Sequence, residues 1–122
     1  MMLLRILFFF ALLYNFLANA ESISNGVQKQ IFKNGNPKYE ISYKNKLKHG
    51  KEIFWYESGK KKMESHFVEG VEEGLWRQWH KNGQLKSNVQ FINGIKQGIE
   101  ITWHKNGSII SKDEYKNGKV IK

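Results

Sequence analysis

After residue 20, the apolar residues show no helical period and recur in short runs separated by glycine-containing turn signals. Leu75 to His80 is one such run, and Leu85 to Ile92 is the next. Between them lies Lys81-Asn82-Gly83, which is typical of a hairpin turn. Repeated along the chain, this pattern predicts an all-β fold, a meander of consecutive hairpins with roughly seven or eight antiparallel strands.

Glycine and aromatic positions recur along the chain with a step of 24 residues. The series that keep this step are Gly35, Gly59, Gly83 and Gly107; Gly50, Gly74 and Gly98; Gly70, Gly94 and Gly118; Trp55, Trp79 and Trp103; and Tyr43, Phe67, Phe91 and Tyr115. Chance does not place so many series on one period. We therefore predict a repeat domain over 29–122, with repeats at about 29–50, 51–74, 75–98 and 99–122.

The apolar pattern also indicates the length of the turn within each repeat. A two-residue loop at Asn82-Gly83 would place Trp79 opposite Lys86, whereas a three-residue loop places Trp79 opposite Leu85. The apolar match favours the longer loop, a type I turn followed by a left-handed glycine. The turn glycines are then Gly59, Gly83 and Gly107.

The same register predicts one core face for the repeats. Trp55 and Trp103 would lie opposite Lys61 and Ile109, and Ile53 opposite Met63. We expect this face to continue into the second aromatic series, so that both series form the repeat core: Trp55, Trp79, Trp103, Tyr43, Phe67, Phe91 and Tyr115. The alternative for the tryptophans is an exposed platform on which bases or sugars stack.

The first 20 residues predict a secretory signal peptide. A short basic start ends at Arg5, an apolar run follows from Ile6 to Leu17, and Ala18-Asn19-Ala20 matches a cleavage site. We expect cleavage near Ala20-Glu21 and a periplasmic or secreted protein, with an uncleaved anchor as the alternative. Residues 21–28 are expected to be a flexible lead-in, and Pro37 is expected on an edge strand.

Charge and composition narrow the choice of partner. Without Arg5, 19 basic residues face 11 acidic residues, a net charge of about +8. Of the 20 basic residues 18 are lysine, and base reading favours arginine, so sequence-specific nucleic-acid binding is not expected. General attraction to anionic surfaces stays open. The absence of cysteine excludes disulfides, thiolate metal sites and cysteine nucleophiles.

Neither a catalytic nor a metal site is expected. His80 and His104 are repeat-equivalent, which places them roughly 10 Å apart, too far to share one ion. Glu52 and Glu100 occupy one column, with Trp76 at the same position between them, and an open meander offers no cleft for a carboxylate pair. We therefore expect no enzyme activity and no cofactor.

The departure of Trp76 from the column of Glu52 and Glu100 predicts that its side chain points to the other face, as an exposed contact beside Arg77. Lys60, Lys61 and Lys62 form the only run of three basic residues, just after a turn. The candidate interaction surface is Trp76, Arg77, His80, His104, Lys60, Lys61 and Lys62.

The repeat unit resembles the variant MORN repeat. Gly74 through Gly83 and Gly98 through Gly107 show its glycine, tryptophan and Asn-Gly pattern, and Gly50 through Gly59 departs from it only at Ser58. Bacterial proteins of this kind are grouped as antitoxin-like repeat proteins of the YwqK type. The resemblance implies an elongated, twisted sheet of consecutive hairpins and an interaction or scaffold role, sometimes with lipid.

Together these features predict an exported, non-catalytic repeat protein that binds another protein. The first alternative is peripheral binding to an anionic membrane or envelope polymer through a lysine-rich surface. The second alternative, an immunity or antitoxin-like partner of a toxin, rests on the family resemblance alone. An open sheet has two ends, so a homodimer is a further possibility.

Overall fold

The computed structural model describes residues 23–122, and the predicted signal peptide lies outside this part of the chain. Within it, all regular elements are strands. They are β1 (Gly26–Ile31), β2 (Pro37–Lys44), β3 (Leu47–Trp55), β4 (Lys61–Val68), β5 (Val71–Glu72), β6 (Gly74–Trp79), β7 (Leu85–Ile92), β8 (Ile95–Trp103), β9 (Ile109–Lys116) and β10 (Lys119–Val120). No helix that could cross a membrane occurs between residues 23 and 122.

The strands form one open antiparallel sheet in which each strand pairs with its neighbour along the chain. The order is β1-β2-β3-β4-β6-β7-β8-β9-β10, and the short β5 also pairs with β4. β5 and β6 therefore replace the single long strand that β3 and β8 provide in the other repeats. The prediction of an all-β meander of hairpins is confirmed.

The turn within each repeat is the predicted three-residue loop. At Lys81-Asn82-Gly83, the His80 amide donates to the Gln84 carbonyl at 2.8 Å, and the Gly83 amide donates to the His80 carbonyl at 2.9 Å. Gly83 has a φ of +89°, the left-handed conformation that glycine adopts without a Cβ penalty. Trp79 pairs with Leu85, as predicted.

The prediction of a single core face is wrong, because the turn introduces a bulge beside each tryptophan. Trp55 pairs with Lys61, but the next pair is Phe54 with Met63, so Ile53 faces Glu64 rather than Met63. Successive residues of a strand point to opposite faces. The tryptophans therefore lie on one face, here called the tryptophan face. Tyr43, Phe67, Phe91 and Tyr115 lie on the other, here called the aromatic face.

The thin core of the sheet lies on the aromatic face. Val89 and Ser65 are 1% exposed, and Ser87 and Glu52 are also buried. Val89 pairs with Trp76 and Ser65 pairs with Glu52, so these residues lie in one band across the sheet. Of the four residues that are buried between positions 23 and 122, only Val89 is apolar, and this core therefore depends on polar contacts as well as on hydrophobic burial.

A second kind of turn joins one repeat to the next. Both central residues have positive φ in each of these turns, which are Asn45-Lys46, Glu69-Gly70, Asn93-Gly94 and Asn117-Gly118. This is the type I′ geometry that matches the twist of paired strands. Each turn is also tied to the preceding repeat, as when the Gly94 amide donates to the Glu72 carbonyl at 2.8 Å.

The N-terminal part of the sheet differs from two sequence predictions. Residues 26–28, expected in the flexible lead-in, belong to β1, which pairs with β2. Pro37 is the first residue of β2, the second strand of the sheet, and is not on an edge strand. It pairs with Ile31 where the β1–β2 register shifts, and the first position of a strand tolerates a missing amide donor.

Lys46 offers a test of the type I′ turns, because the other three turns have glycine at its position. Lys46 has a φ of +65°, which strains a residue with a Cβ atom. We expect Lys46→Gly to raise the free energy of unfolding by about 0.5–1 kcal/mol. Urea denaturation would measure this change. Lys46→Ala removes the same charge and should bring no gain; an equal gain would show that charge, not backbone strain, is responsible.

Candidate functional site

The column of Tyr56, His80 and His104 links successive repeats. The Tyr56 hydroxyl donates to the Trp79 carbonyl at 2.7 Å, and the His80 Nε2–H donates to the Trp103 carbonyl at 2.8 Å. His104 occupies the same position in the last repeat and is exposed. His80 and His104 line one surface depression of about 580 Å³. His80 is therefore engaged in holding the repeats together, whereas His104 is open to solvent.

Between residues 23 and 122, no three side chains of the metal-binding types His, Asp or Glu lie close enough to hold an ion. His49 has a different role, since its Nδ1 accepts a hydrogen bond from the Glu69 amide at 3.2 Å. In the next two repeats, Glu73 and Gln97 accept from the amides of Asn93 and Asn117. This column therefore secures the type I′ turns.

The lysine run also contacts the neighbouring repeat. Lys60 Nζ donates to the Asn82 carbonyl at 3.3 Å, and Lys61 Nζ lies 5.7 Å from the centre of the Trp79 ring. Lys61 pairs with Glu64 at 2.6 Å, and this hydrogen bond holds the pKa of Glu64 below its usual value. Lys62 Nζ lies 5.9 Å from the Tyr56 ring. All three lysines stay exposed; Lys61 is paired with Glu64, whereas Lys60 and Lys62 form no ion pair among residues 23–122.

The structure separates Trp76 from Arg77. Trp76 pairs with Val89 and lies on the aromatic face with Glu52 and Glu100, so the prediction that it points to the other face is wrong. Residues that are 24 positions apart occupy equivalent places in their strands, and their side chains therefore point to the same face whatever the residue type. Trp76 is half-buried, and Arg77 is half-buried on the tryptophan face.

Arg77 lies between Glu64 on β4 and Asn88 on β7. Its buried Nε and the buried Oδ1 of Asn88 have no hydrogen-bond partner among residues 23–122. Buried polar atoms are normally satisfied. Within this part of the chain, Arg77 therefore leaves one donor and Asn88 one acceptor unsatisfied beneath the tryptophan face.

Two repeats carry the same ion pair on the aromatic face, between a partly exposed lysine and a more deeply buried glutamate. Lys48 pairs with Glu52, which is 5% exposed and also accepts a hydrogen bond from Ser65 Oγ at 3.1 Å. The Lys48 ammonium lies 4.8 Å from the centre of the Phe67 ring. We call this arrangement of lysine, glutamate and aromatic ring the ammonium clamp.

A second ammonium clamp lies 48 residues further along the chain. Lys96 pairs with Glu100 at 2.7 Å and lies 4.9 Å from the centre of the Tyr115 ring. Burial opposes the charged form of Lys96, but the hydrogen bond to Glu100 and the carboxylate charge prevail and raise its pKa. The neighbouring Glu100 carboxylate also raises the pKa of Tyr115. The clamp therefore stabilises the charged form of Lys96 and the protonated form of Tyr115.

The repeat between these two clamps departs from the pattern at two positions. Glu72 stands where Lys48 and Lys96 stand, and Trp76 stands at the position of the clamp glutamates. Burial and the nearby charge of Glu52 raise the pKa of Glu72. Alignment of the repeats with one another marks Trp76 as unusual. It does not mark the change from lysine to Glu72, because both residue types are expected on a solvated surface.

An exposed aliphatic surface runs along the tryptophan face beside the type I′ turns. Its members are each 41–48% exposed: Leu47, Val68, Val71, Leu75, Ile92, Ile95 and Ile99. We call it the aliphatic stripe. Residue type alone does not reveal the stripe, although Leu47, Val71 and Ile95 recur at 24 residues. That recurrence is the signal that could have revealed it, once the face was known.

The members of the stripe are adjacent across the sheet. Val68 pairs with Val71, and Ile92 pairs with Ile95. Leu47 and Val71 also lie over the turns of the following repeats, because a Cβ atom at Gly70 would come within 3.5 Å of Leu47 Cδ2 and one at Gly94 within 3.3 Å of Val71 Cγ1. The stripe is therefore continuous from one repeat to the next, and no element within residues 23–122 covers it.

Comparison with known proteins assigns the repeats to one family. Four segments, residues 24–45, 48–69, 72–93 and 96–117, match the family described as MORN repeat variant, and together they span most of the chain. No curated protein matches the chain. The matched segments contain both ammonium clamps and the departing pair Glu72 and Trp76. They also contain four members of the aliphatic stripe, Val68, Leu75, Ile92 and Ile99, whereas Leu47, Val71 and Ile95 lie at the junctions between segments.

The buried carboxylate of Glu52 provides a stability test. We expect Lys48→Met to lower the free energy of unfolding by about 1–3 kcal/mol, because Glu52 would stay buried without its counter-ion. The exposed pair of Lys29 and Glu40 is the control, and Lys29→Met should cost less than about 1 kcal/mol. Chemical denaturation of both variants would measure the difference. Equal losses would mean that burial of Glu52 does not set the strength of the pair.

The inter-repeat bond of His80 can be tested with the residue that the preceding repeat uses. His80→Tyr should keep a donor to the Trp103 carbonyl, as Tyr56 does for Trp79. His80→Phe should lose it and lower the free energy of unfolding by about 1 kcal/mol. Denaturation midpoints would compare the two variants. A Tyr variant as unstable as the Phe variant would contradict this role.

Proposed function

The chain belongs to the MORN repeat variant family, and on that premise we propose that it is an exported, non-catalytic module that binds another protein through the aliphatic stripe. Repeats of this family point to a binding or scaffold role for the protein. The single open sheet supports the proposal, because consecutive hairpins give a long surface and no enclosed cleft within residues 23–122.

The aliphatic stripe carries this proposal. Single exposed apolar residues are normal on protein surfaces, whereas contiguous apolar patches mark interaction sites. Seven aliphatic side chains on one face are each 41–48% exposed, and five of them are linked by strand pairing or by contacts at the turns. Covering them with the apolar surface of a partner would supply the hydrophobic energy of binding.

Charge at the two ends of the stripe indicates the chemistry of the partner. Lys44 and Lys51 lie at one end, and Lys116 and Lys119 lie at the other, with Glu114 beside them. All four lysines are exposed. The best fit is a protein with an apolar strip and an acidic rim. A toxin with such a surface, held by an immunity-type partner, is one case of this class.

The export part of the proposal rests on the sequence of residues 1–20, which lie outside the described structure. The apolar run from Ile6 to Leu17 and the cleavage pattern that ends at Ala20 support it. The partner is accordingly expected in the cell envelope or in the medium.

A second candidate function is peripheral binding to an anionic envelope surface. The observation that favours it is the presence of exposed lysines on the same face as the stripe. Such binding would be mainly electrostatic and would weaken steeply with added salt. Binding of a shape-matched protein through the stripe would weaken much less.

The decisive experiment compares two double variants in capture from envelope extract at low and high salt. Leu75→Ser with Ile95→Ser should reduce retention of the captured protein at least about tenfold at high salt, because it removes apolar contact area. The control is Ile109→Ser with Ile110→Ser, which changes equally large side chains that are 59% and 56% exposed outside the stripe. The control should keep its partner.

Two results would contradict the main proposal. Equal retention by both double variants would remove the stripe from the interface. Capture of anionic lipid or polymer alone, lost at high salt in every variant, would favour the electrostatic candidate. In that case replacing Lys44, Lys51, Lys116 and Lys119 by Gln should abolish binding to anionic vesicles.

A further inference from the structure

Differences between the repeats indicate which class of ligand the aromatic face can bind. In two repeats a lysine of the chain supplies an ammonium to a glutamate and an aromatic ring, as Lys48 does for Glu52 and Phe67. Lys96 does the same for Glu100 and Tyr115. The surface thus binds an ammonium at a fixed position relative to each of these rings.

The ammonium positions are accessible from solvent. The side chains of Lys48 and Lys96 are 36% and 34% exposed, although their partner glutamates are only 6% and 12% exposed. A group from another molecule could therefore reach the equivalent position in the intervening repeat. Its carboxylate and ring partners would be the inner wall of the site.

The intervening repeat keeps the ring but has no ammonium from the chain. Phe91 is the repeat equivalent of Phe67 and Tyr115, and no cation from residues 23–122 lies over it. Glu72 takes the place of the clamp lysine, and its carboxylate makes no ion pair among these residues. Two lysines flank this position, and both ammonium groups are engaged elsewhere. Lys48, whose charge acts on Glu72, is paired with Glu52. Lys96 pairs with Phe91 across the sheet, but its ammonium lies at Glu100 and the Tyr115 ring. Burial and the charge of Glu52 raise the pKa of Glu72, and the charge of Lys48 opposes them only in part.

Trp76 completes the arrangement. It pairs with Val89, two residues from Phe91, and it replaces the glutamate that the other clamps use. Gly74, opposite Phe91, has no side chain, so the approach to the ring is not blocked from that strand. A carboxylate, an indole and a phenyl ring on one face are the groups that hold an organic cation.

We propose that Glu72, Trp76 and Phe91 form a binding subsite for the side-chain ammonium of a lysine on a partner protein. The ammonium would pair with the Glu72 carboxylate over the Phe91 ring, and the apolar stem of the lysine would lie along Trp76. This inference extends the proposed protein-binding role to a second face. It does not depend on the aliphatic stripe, which lies on the opposite face.

The chemistry of the subsite favours a lysine over a metal ion. One carboxylate is too few ligands for a divalent cation, and aromatic rings do not coordinate one. The net charge of the chain repels small cations, so the isolated subsite binds weakly. A lysine on a partner protein that is already docked can still occupy the subsite, because docking gives its ammonium a high effective concentration there.

The test uses n-butylammonium, which reproduces the lysine side chain, and follows amide and indole signals by nuclear magnetic resonance. The full chain should show saturable shifts at Glu72, Trp76 and Phe91 with a dissociation constant of about 10–100 mM. Neutral n-butanol and sodium chloride at the same concentrations are the controls and should not produce these shifts. Glu72→Gln, which keeps the shape of the side chain, should remove them.

A double variant gives an independent check. Glu72→Lys with Trp76→Glu would rebuild the clamp of the neighbouring repeats. It should abolish the response to n-butylammonium and raise the unfolding midpoint. No shift at about 200 mM n-butylammonium, equal shifts in all repeats, or unchanged shifts in Glu72→Gln would each overturn the subsite. If the n-butylammonium shifts are observed but no protein binds through the aliphatic stripe, the proposed function is refuted and the subsite is not.

Discussion

The left-handed glycine of each three-residue turn is the constraint on which the rest of the structure depends. At Gly83 the backbone takes a φ of +89°, and the resulting bulge shifts the register by one residue beside Trp79. That shift places the tryptophans on one face and Phe67 and its equivalents on the other. Because the sheet has a single layer, this separation creates two surfaces of different chemistry. One carries the ion pairs of the ammonium clamps, and the other carries the exposed aliphatic stripe.

Much of the fold could be predicted from the sequence, because turn chemistry and periodicity are local signals. The 24-residue step, the hairpins and the three-residue loop all follow from glycine and aromatic positions. The face on which each side chain lies could not be predicted by continuing the alternation of side chains from Trp55. A bulge interrupts that alternation and leaves no sign in the composition. The positions of Trp76 and Ile53 were predicted incorrectly for related reasons, as both depend on strand parity rather than on residue type.

The candidate sites were less visible in the sequence, because their key residues are charged or aliphatic residues of common types. Lys48 and Glu52 look like solvated positions until the structure shows Glu52 to be 5% exposed between Ser65 and the ammonium. Conversely, Leu75 and Ile95 look like core residues, yet they are 45% and 47% exposed. In a one-layer sheet, polarity alone does not decide which side chains are buried; the contacts between neighbouring hairpins do.

Repeat architecture explains how one repeat can depart from the others without loss of the fold. Each hairpin contacts only its neighbours, so the stability of the array is close to a sum of local terms. Replacing the lysine and glutamate of one clamp by Glu72 and Trp76 removes one ion pair and leaves the backbone bonds between turns intact, including the Gly94 amide to the Glu72 carbonyl. The flanking clamps at Lys48 and Lys96 still hold their rings. A repeat protein can therefore place recognition chemistry in an interior repeat, where neighbours on both sides keep the surface in position.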